Sequence, residues 1–430
     1  MTVSLLHGAV PWVLSGLGLL ALGALLVAPG RHWWLRRLPL AIGSALVLTL
    51  VAVGLVDWVW RPFPDALPID IVLLLGVALL ALSAAVVRFT TVRGWWRRAL
   101  VPAFVVVVVV SCLCGANMSF GQYPTVGDLF GGRLAREVAL ADVNQPADLV
   151  AAPAGQSLTG VWQRPDDLPA HGVVASAEIP GTTSGFVARP ALIYLPPAYL
   201  TVPRAQLPVL VMVTGQPGGP RDWFGGGQLA ARMDRFAATH DGLAPVVVVP
   251  DILGSTLANP LCLDSQLGNS ASYLDHDVPA WIRANLHIDP NPARWAVGGY
   301  SSGGTCALQA GVRSPLVYPS VLDISGQEGP TLGTAEATAG AAFGGDRAAL
   351  AAVEPMTELK RGARPAVAVL LVVGDRDGAY RPQQERVAEA LRQAQVPVEL
   401  AFLHGGHSWS VWGPAIDRAL PWLADRMALT

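Results

Sequence analysis

Gly299-Tyr300-Ser301-Ser302-Gly303 follows the strand-like stretch Arg294 to Gly298 and precedes a helical stretch that begins near Gly304. A serine between glycines at a strand-to-helix junction predicts a sharp turn with strained backbone, because side chains at the flanking positions would collide with neighbouring elements. Such a turn carries Ser301 to the carboxyl edge of a sheet, where the N-terminus of the next helix favours developing negative charge. Working outward, short continuous apolar runs recur, each followed by a glycine or proline turn and a helical stretch. They are Leu207 to Val213, Ala244 to Val249, Trp295 to Val297, Ser320 to Ile324 and Ala366 to Val373. Strands covered by helices on both faces need no polar alternation, so these runs predict a mostly parallel, doubly wound α/β sheet. Val173 to Ile179 and Phe186 to Leu195, joined by the turn-rich segment 180–185, predict a strand pair ahead of it.

A serine hydroxyl is a weak nucleophile near neutral pH and needs an imidazole base that is itself oriented by a carboxylate. On a turn of this kind the chain order is serine, acid, histidine, and the histidines after Ser301 are His404 and His407. His407, in Gly405-Gly406-His407-Ser408-Trp409 just after the strand-like Val398 to Leu403, is the expected base, and His404 is read as structural. As a metal pair the two histidines would lack a third ligand and a helix to hold them, so neither metal nor cofactor is expected. The run Ala366 to Val373 leads into Gly374-Asp375-Arg376-Asp377, which offers Asp377 as the acid. Asp375 is the alternative, since spacing cannot separate two carboxylates of one loop; its other reading is a cap or a partner for Arg376.

Acyl transfer also needs donors for a tetrahedral oxyanion. The backbone N–H of Ser302 is one candidate. The second is sought in Thr214-Gly215-Gln216-Pro217-Gly218-Gly219, after an early strand. Pro217 has no N–H, which leaves Gln216 first and Gly218 second. Trp223, Tyr300, Trp409 and Trp412 fall near these motifs. All four are candidates to line an acyl pocket, the first three foremost, although core packing is the role expected of most.

The first 118 residues read differently. Four apolar stretches, about residues 8 to 28, 39 to 60, 69 to 88 and 99 to 118, are long enough to cross the roughly 30 Å of a bilayer's hydrocarbon. Nothing basic precedes the first and no small-residue cleavage site follows it, so it reads as a span rather than a signal peptide. Arg31, Arg36 and Arg37 lie between the first two, and Arg88, Arg93, Arg97 and Arg98 between the last two. Cytoplasmic loops are enriched in such residues, which predicts a multi-pass protein of the cell membrane with both termini outside. The expected organisation is a membrane anchor over 1–118, a linker or irregular wrap over 119–172 rich in Ala, Pro, Gly and Asp, and an extracytoplasmic catalytic domain over 173–430. Only 14% of the residues are charged, against about 25% in soluble domains, and the net charge of -2 argues for no nucleic-acid partner. Cys112 and Cys114 lie in the fourth stretch, whereas Cys262 and Cys306 lie in the outer part, where disulfides persist. A Cys262 to Cys306 bridge is expected, tying the loop after Pro250-Asp251 to the helix after Ser301.

Together Tyr194-Leu195-Pro196-Pro197, Gly215-Gln216-Pro217-Gly218, Gly299-Tyr300-Ser301-Ser302-Gly303-Gly304 and Gly405-Gly406-His407-Ser408-Trp409 resemble the putative-esterase family of α/β hydrolases, over about residues 173 to 428. That family includes esterase D-type enzymes and the antigen 85 mycolyltransferases. Four spans followed by Gly121-Gln122-Tyr123-Pro124-Thr125 are similar to a group of actinobacterial membrane esterases. The resemblance implies an α/β-hydrolase fold, ester chemistry, and nucleophile, acid and base roles for Ser301, Asp377 and His407. The mycolyltransferases use a glutamate where this chain has an aspartate loop, a departure that favours hydrolysis over acyl transfer. The expected function is therefore hydrolysis of esters, with cell-envelope lipids as substrate and the lipid bilayer as partner. A mycolyltransferase-like acyltransferase and a non-catalytic scaffold that keeps the fold are the competing readings.

Overall fold

The structure, a computed structural model, describes residues 3–130, 137–361 and 366–430. It divides into two compact units, Met1–Gly132 and Arg133–Thr430.

The first unit contains four helices long and apolar enough to cross a membrane: α1 (Ala9–Leu26), α2 (Trp33–Trp60), α3 (Ile69–Phe89) and α4 (Trp95–Phe120). The second and fourth begin earlier than hydropathy places them. Apolar content falls off at the first tryptophans and arginines, but backbone hydrogen bonding continues through them, because such side chains suit the ends of a spanning helix. Small residues let the helices approach: Ala21, Ala41, Ala81, Ala84 and Ala85 are buried in their shared core.

The second unit is built on nine strands: β1 (Glu137–Ala139), β2 (Val173–Ala177), β3 (Ala191–Leu195), β4 (Val209–Val213), β5 (Val246–Val249), β6 (Trp295–Tyr300), β7 (Ser320–Ile324), β8 (Ala368–Gly374) and β9 (Val398–Leu403). They lie in the order β1-β2-β3-β5-β4-β6-β7-β8-β9. β3 runs antiparallel to both of its neighbours, β2 and β5, and every other pairing is parallel. This is the α/β-hydrolase architecture. Every residue of β4, β5, β6, β7 and β8 is buried, which is why these strands read as unbroken apolar runs.

Two features differ from the expected layout. The strand pair near residue 180 is shorter than expected, since β2 ends at Ala177 and β3 begins only at Ala191. Asp277 accepts hydrogen bonds from the backbone N–H groups of Thr183 and Ser184, at 2.7 and 3.0 Å, and so holds the intervening residues as a folded loop instead of a tight hairpin. The segment read as an irregular wrap also contributes the edge strand β1, too short to leave a periodic signal. Leu158 and Trp162 in the same segment are buried, and the N–H groups of Leu158 and Thr159 donate to the carbonyls of Ala428 and Leu429, so this wrap packs on the C-terminal end of the chain.

Candidate active site

The site lies at the carboxyl ends of the central strands, where loops after β4, β6, β8 and β9 converge. Ser301 follows β6 with φ 55° and ψ -128°, a strained backbone for any residue with a side chain. Neighbouring glycines make the turn possible. A Cβ on Gly299 would sit 2.3 Å from the Gly303 carbonyl oxygen, and one on Gly303 would sit 2.7 Å from the carbonyl oxygens of both Val213 and Thr214. The helix α5 (Ser302–Arg313) therefore starts in direct contact with the loop that leaves β4.

Ser301 Oγ lies 2.9 Å from Nε2 of His407, and Nδ1 of His407 lies 2.8 Å from Oδ2 of Asp377. The Asp377 side chain is 3% exposed and that of His407 26%, so the carboxylate is sealed while the imidazole keeps an open side. The Tyr380 ring stacks on His407, with centroids 3.8 Å apart and planes 21° from parallel, and Trp412 meets the same imidazole edge-on at 4.9 Å. Asp375, the alternative acid, faces elsewhere. It accepts the Gly405 N–H at 3.0 Å and lies 3.1 Å from Nδ1 of His404, and these two partners, the Gly405 N–H first, hold its carboxyl below the usual range. The two aspartates thus take one histidine each.

The loop after β4 is fixed from several sides. The Gln216 N–H donates to Ser302 Oγ at 2.9 Å, and the Gln216 side chain donates to the Leu257 carbonyl at 2.8 Å. The Gly218 N–H, the second candidate for the oxyanion, donates to the Thr256 carbonyl and serves to hold the loop. Arg189 contributes in a way the sequence did not suggest. Its guanidinium grips both oxygens of the fully buried Asp251 at 2.8 Å, and donates to the Gly218 carbonyl at 2.9 Å. The hydrogen bond with Asp251 raises the Arg189 pKa above its ordinary value. Sixty-two positions separate this arginine from its carboxylate, so no local pattern joins them. Tyr380 was also not foreseen, and its only sequence cue is a place three residues beyond Asp377.

Cys262 and Cys306 are joined by a disulfide, which links the segment after Asp251 to α5. The aromatic residues expected at a pocket take a different position. Trp223, Tyr300 and Trp409 are 0%, 4% and 4% exposed and pack against one another beneath the turn. Trp223 donates its indole N–H to the Val213 carbonyl at 3.1 Å. They are core that supports the turn, because Trp409, the first residue of the helix α6 (Trp409–Arg426), packs its ring on Trp223 and Tyr300. Among the described residues no group of three or more potential metal ligands occurs.

Residues 188–423 match the family described as Putative esterase. An uncharacterized protein of Corynebacterium glutamicum is 35% identical over 419 residues, covering 95% of this chain and 93% of its own. Among solved structures, a ferulic acid esterase superposes with a TM-score of 0.51 at 19% identity, over 60% of this chain and 99% of its own. An S-formylglutathione hydrolase from Agrobacterium tumefaciens superposes with a TM-score of 0.50 at 21% identity, over 60% and 97%. These two share the fold. With the fold, the strained serine turn and the match over residues 188–423 in hand, the chain belongs to the Putative esterase family of serine hydrolases.

Proposed function

We propose that this chain is a membrane-anchored esterase that hydrolyses carboxylic esters of cell-envelope lipids on the outer side of the cytoplasmic membrane, with Ser301, His407 and Asp377 as nucleophile, base and acid. One observation carries the reading: a single imidazole spans from Ser301 Oγ, at 2.9 Å, to Asp377, at 2.8 Å. Ser301 Oγ attacks the ester carbonyl carbon while its proton passes to His407 Nε2. The buried Asp377 fixes the tautomer and stabilises the imidazolium that forms. The carbonyl oxygen, now negative, is held at the N-terminus of α5 by the Ser302 N–H. Collapse expels the alcohol with the proton from His407 and leaves an acyl-Ser301. Water, deprotonated by the same imidazole, then releases the carboxylic acid.

The anchor and its direction are supported by the first unit. Arg88, near the end of α3, donates to the Ala24 carbonyl of α1 at 2.9 Å and lies over the Trp33 ring at the start of α2. Both arginine-rich connections therefore sit at one end of the helices, the pattern of a cytoplasmic face. Four spans then return the chain to the outside before the hydrolase unit begins. The lipid substrate is inferred from this anchoring.

Substituting Ser301→Ala tests the chemistry. It is expected to abolish both p-nitrophenyl ester turnover and labelling by a fluorophosphonate, while the melting temperature stays close to that of the parent. Turnover and labelling that survived the substitution would disprove the role of Ser301.

A further inference from the structure

We propose that the hydroxyl of Ser302 is itself a catalytic residue, an oxyanion donor that works beside its own backbone N–H. The inference rests on the reading of Ser301 as nucleophile and concerns what stabilises the charge that its attack creates. Gln216, expected to offer its N–H to the oxyanion directly, instead donates it to Ser302 Oγ at 2.9 Å. A hydroxyl that accepts a hydrogen bond still has its own proton to give, and accepting one polarises the O–H toward giving it. Among the described residues no acceptor takes that proton. Ser302 is the first residue of α5, so its N–H is one of those a helix leaves without an intrahelical partner, and its Oγ sits on the same residue. The supporting loop is pressed close to the nucleophile: a Cβ on Gly215 would lie 3.0 Å from Cβ of Ser301. Gln216 is in turn held by Leu257, on the segment that the Cys262–Cys306 bridge ties to α5. Ser302 is only partly buried, and it directly follows the nucleophile in the chain.

In this arrangement the charge formed when Ser301 Oγ bonds to the carbonyl carbon is met by two donors of one residue. The Gln216 amide acts through the hydroxyl and holds it in place. No proton leaves Ser302; the proton released by Ser301 is carried by His407.

The test uses the full-length chain in detergent, with p-nitrophenyl acetate and a fluorophosphonate probe. S302A is expected to lower kcat at least about tenfold, in line with removal of one oxyanion donor, with KM within about twofold of the parent. Phosphonylation of Ser301 is expected to slow in parallel, since the phosphonyl oxygen occupies the same position. S302T, which keeps the hydroxyl, is expected to retain most of the parent kcat, and thermal melting checks that both variants are folded. A folded S302A with parental or faster turnover would overturn the proposal, because the hydroxyl would then merely occupy the Gln216 amide. So would a folded S302T as slow as S302A. A parent enzyme with neither ester turnover nor labelling at Ser301 would instead bring down the esterase reading, and this inference with it.

Discussion

Oδ2 of Asp377 lies 2.8 Å from Nδ1 of His407, in a position that the nearby Asp375 cannot share while it binds Gly405 and His404. An amide at position 377 would offer the imidazole a donor where it needs an acceptor, and so favour the wrong tautomer. Asp377→Asn is expected to lower kcat by about 10³ to 10⁴, whereas Asp375→Asn, on an exposed pair, is expected to stay within about threefold of the parent. Steady-state kinetics on the two variants, with melting curves, check the assignment.

A second carboxylate sets a pH dependence of stability. Asp323 is 0% exposed, and burial pushes its carboxyl up from 3.8 to about 7 although hydrogen bonds from Gln384 and Gly326 oppose the shift. The folded chain therefore keeps this proton over a range in which the unfolded chain has lost it. Its contribution is fully present below pH 3.8, is lost as pH rises toward about 7, and changes little above that. The slope is at most about 1.4 kcal/mol per pH unit. Asp323→Asn is expected to flatten denaturant-unfolding stability over this window, and an unchanged slope would remove Asp323 as its source.

The Cys262–Cys306 bridge closes a separation of 44 residues, and loop-closure entropy for that length is worth about 4 kcal/mol. Replacing both cysteines by serine is expected to lower stability by about 2 to 4 kcal/mol. It is also expected to reduce kcat more than KM, because the freed segment carries the Leu257 carbonyl that holds Gln216. Melting under reducing and non-reducing conditions checks the first effect and steady-state kinetics the second.

Membrane orientation is open to a direct measurement. Thr90, in the connection after α3, is exposed, and Val187 in the hydrolase unit is 84% exposed, while the two free cysteines, Cys112 and Cys114, are buried. In intact cells a membrane-impermeant maleimide is expected to label Val187→Cys and to leave Thr90→Cys unlabelled until the membrane is permeabilised. The reverse pattern would place the esterase unit in the cytoplasm.

Local sequence determined a good deal of this protein. Hydropathy marks four helices because spanning length and apolar content are properties of one contiguous segment. The serine turn is legible because the demand for small residues, although partly imposed by the loop after β4, leaves its mark in glycines at 299 and 303, and the buried strands are legible because both of their faces are apolar. Tertiary structure alone decided the rest. Which loop aspartate meets His407 depends on how the ends of β8 and β9 are set side by side, and spacing within the loop does not contain that information. The Gln216 amide turns to Ser302 because α5 starts against the loop after β4. Trp223 and Tyr300 become core because Trp409, at the start of α6, packs on both. Arg189 and Asp251, far apart in the chain, meet only once the sheet has formed. Periodicity and spacing describe forces between neighbours in sequence, whereas these choices are made by neighbours in space.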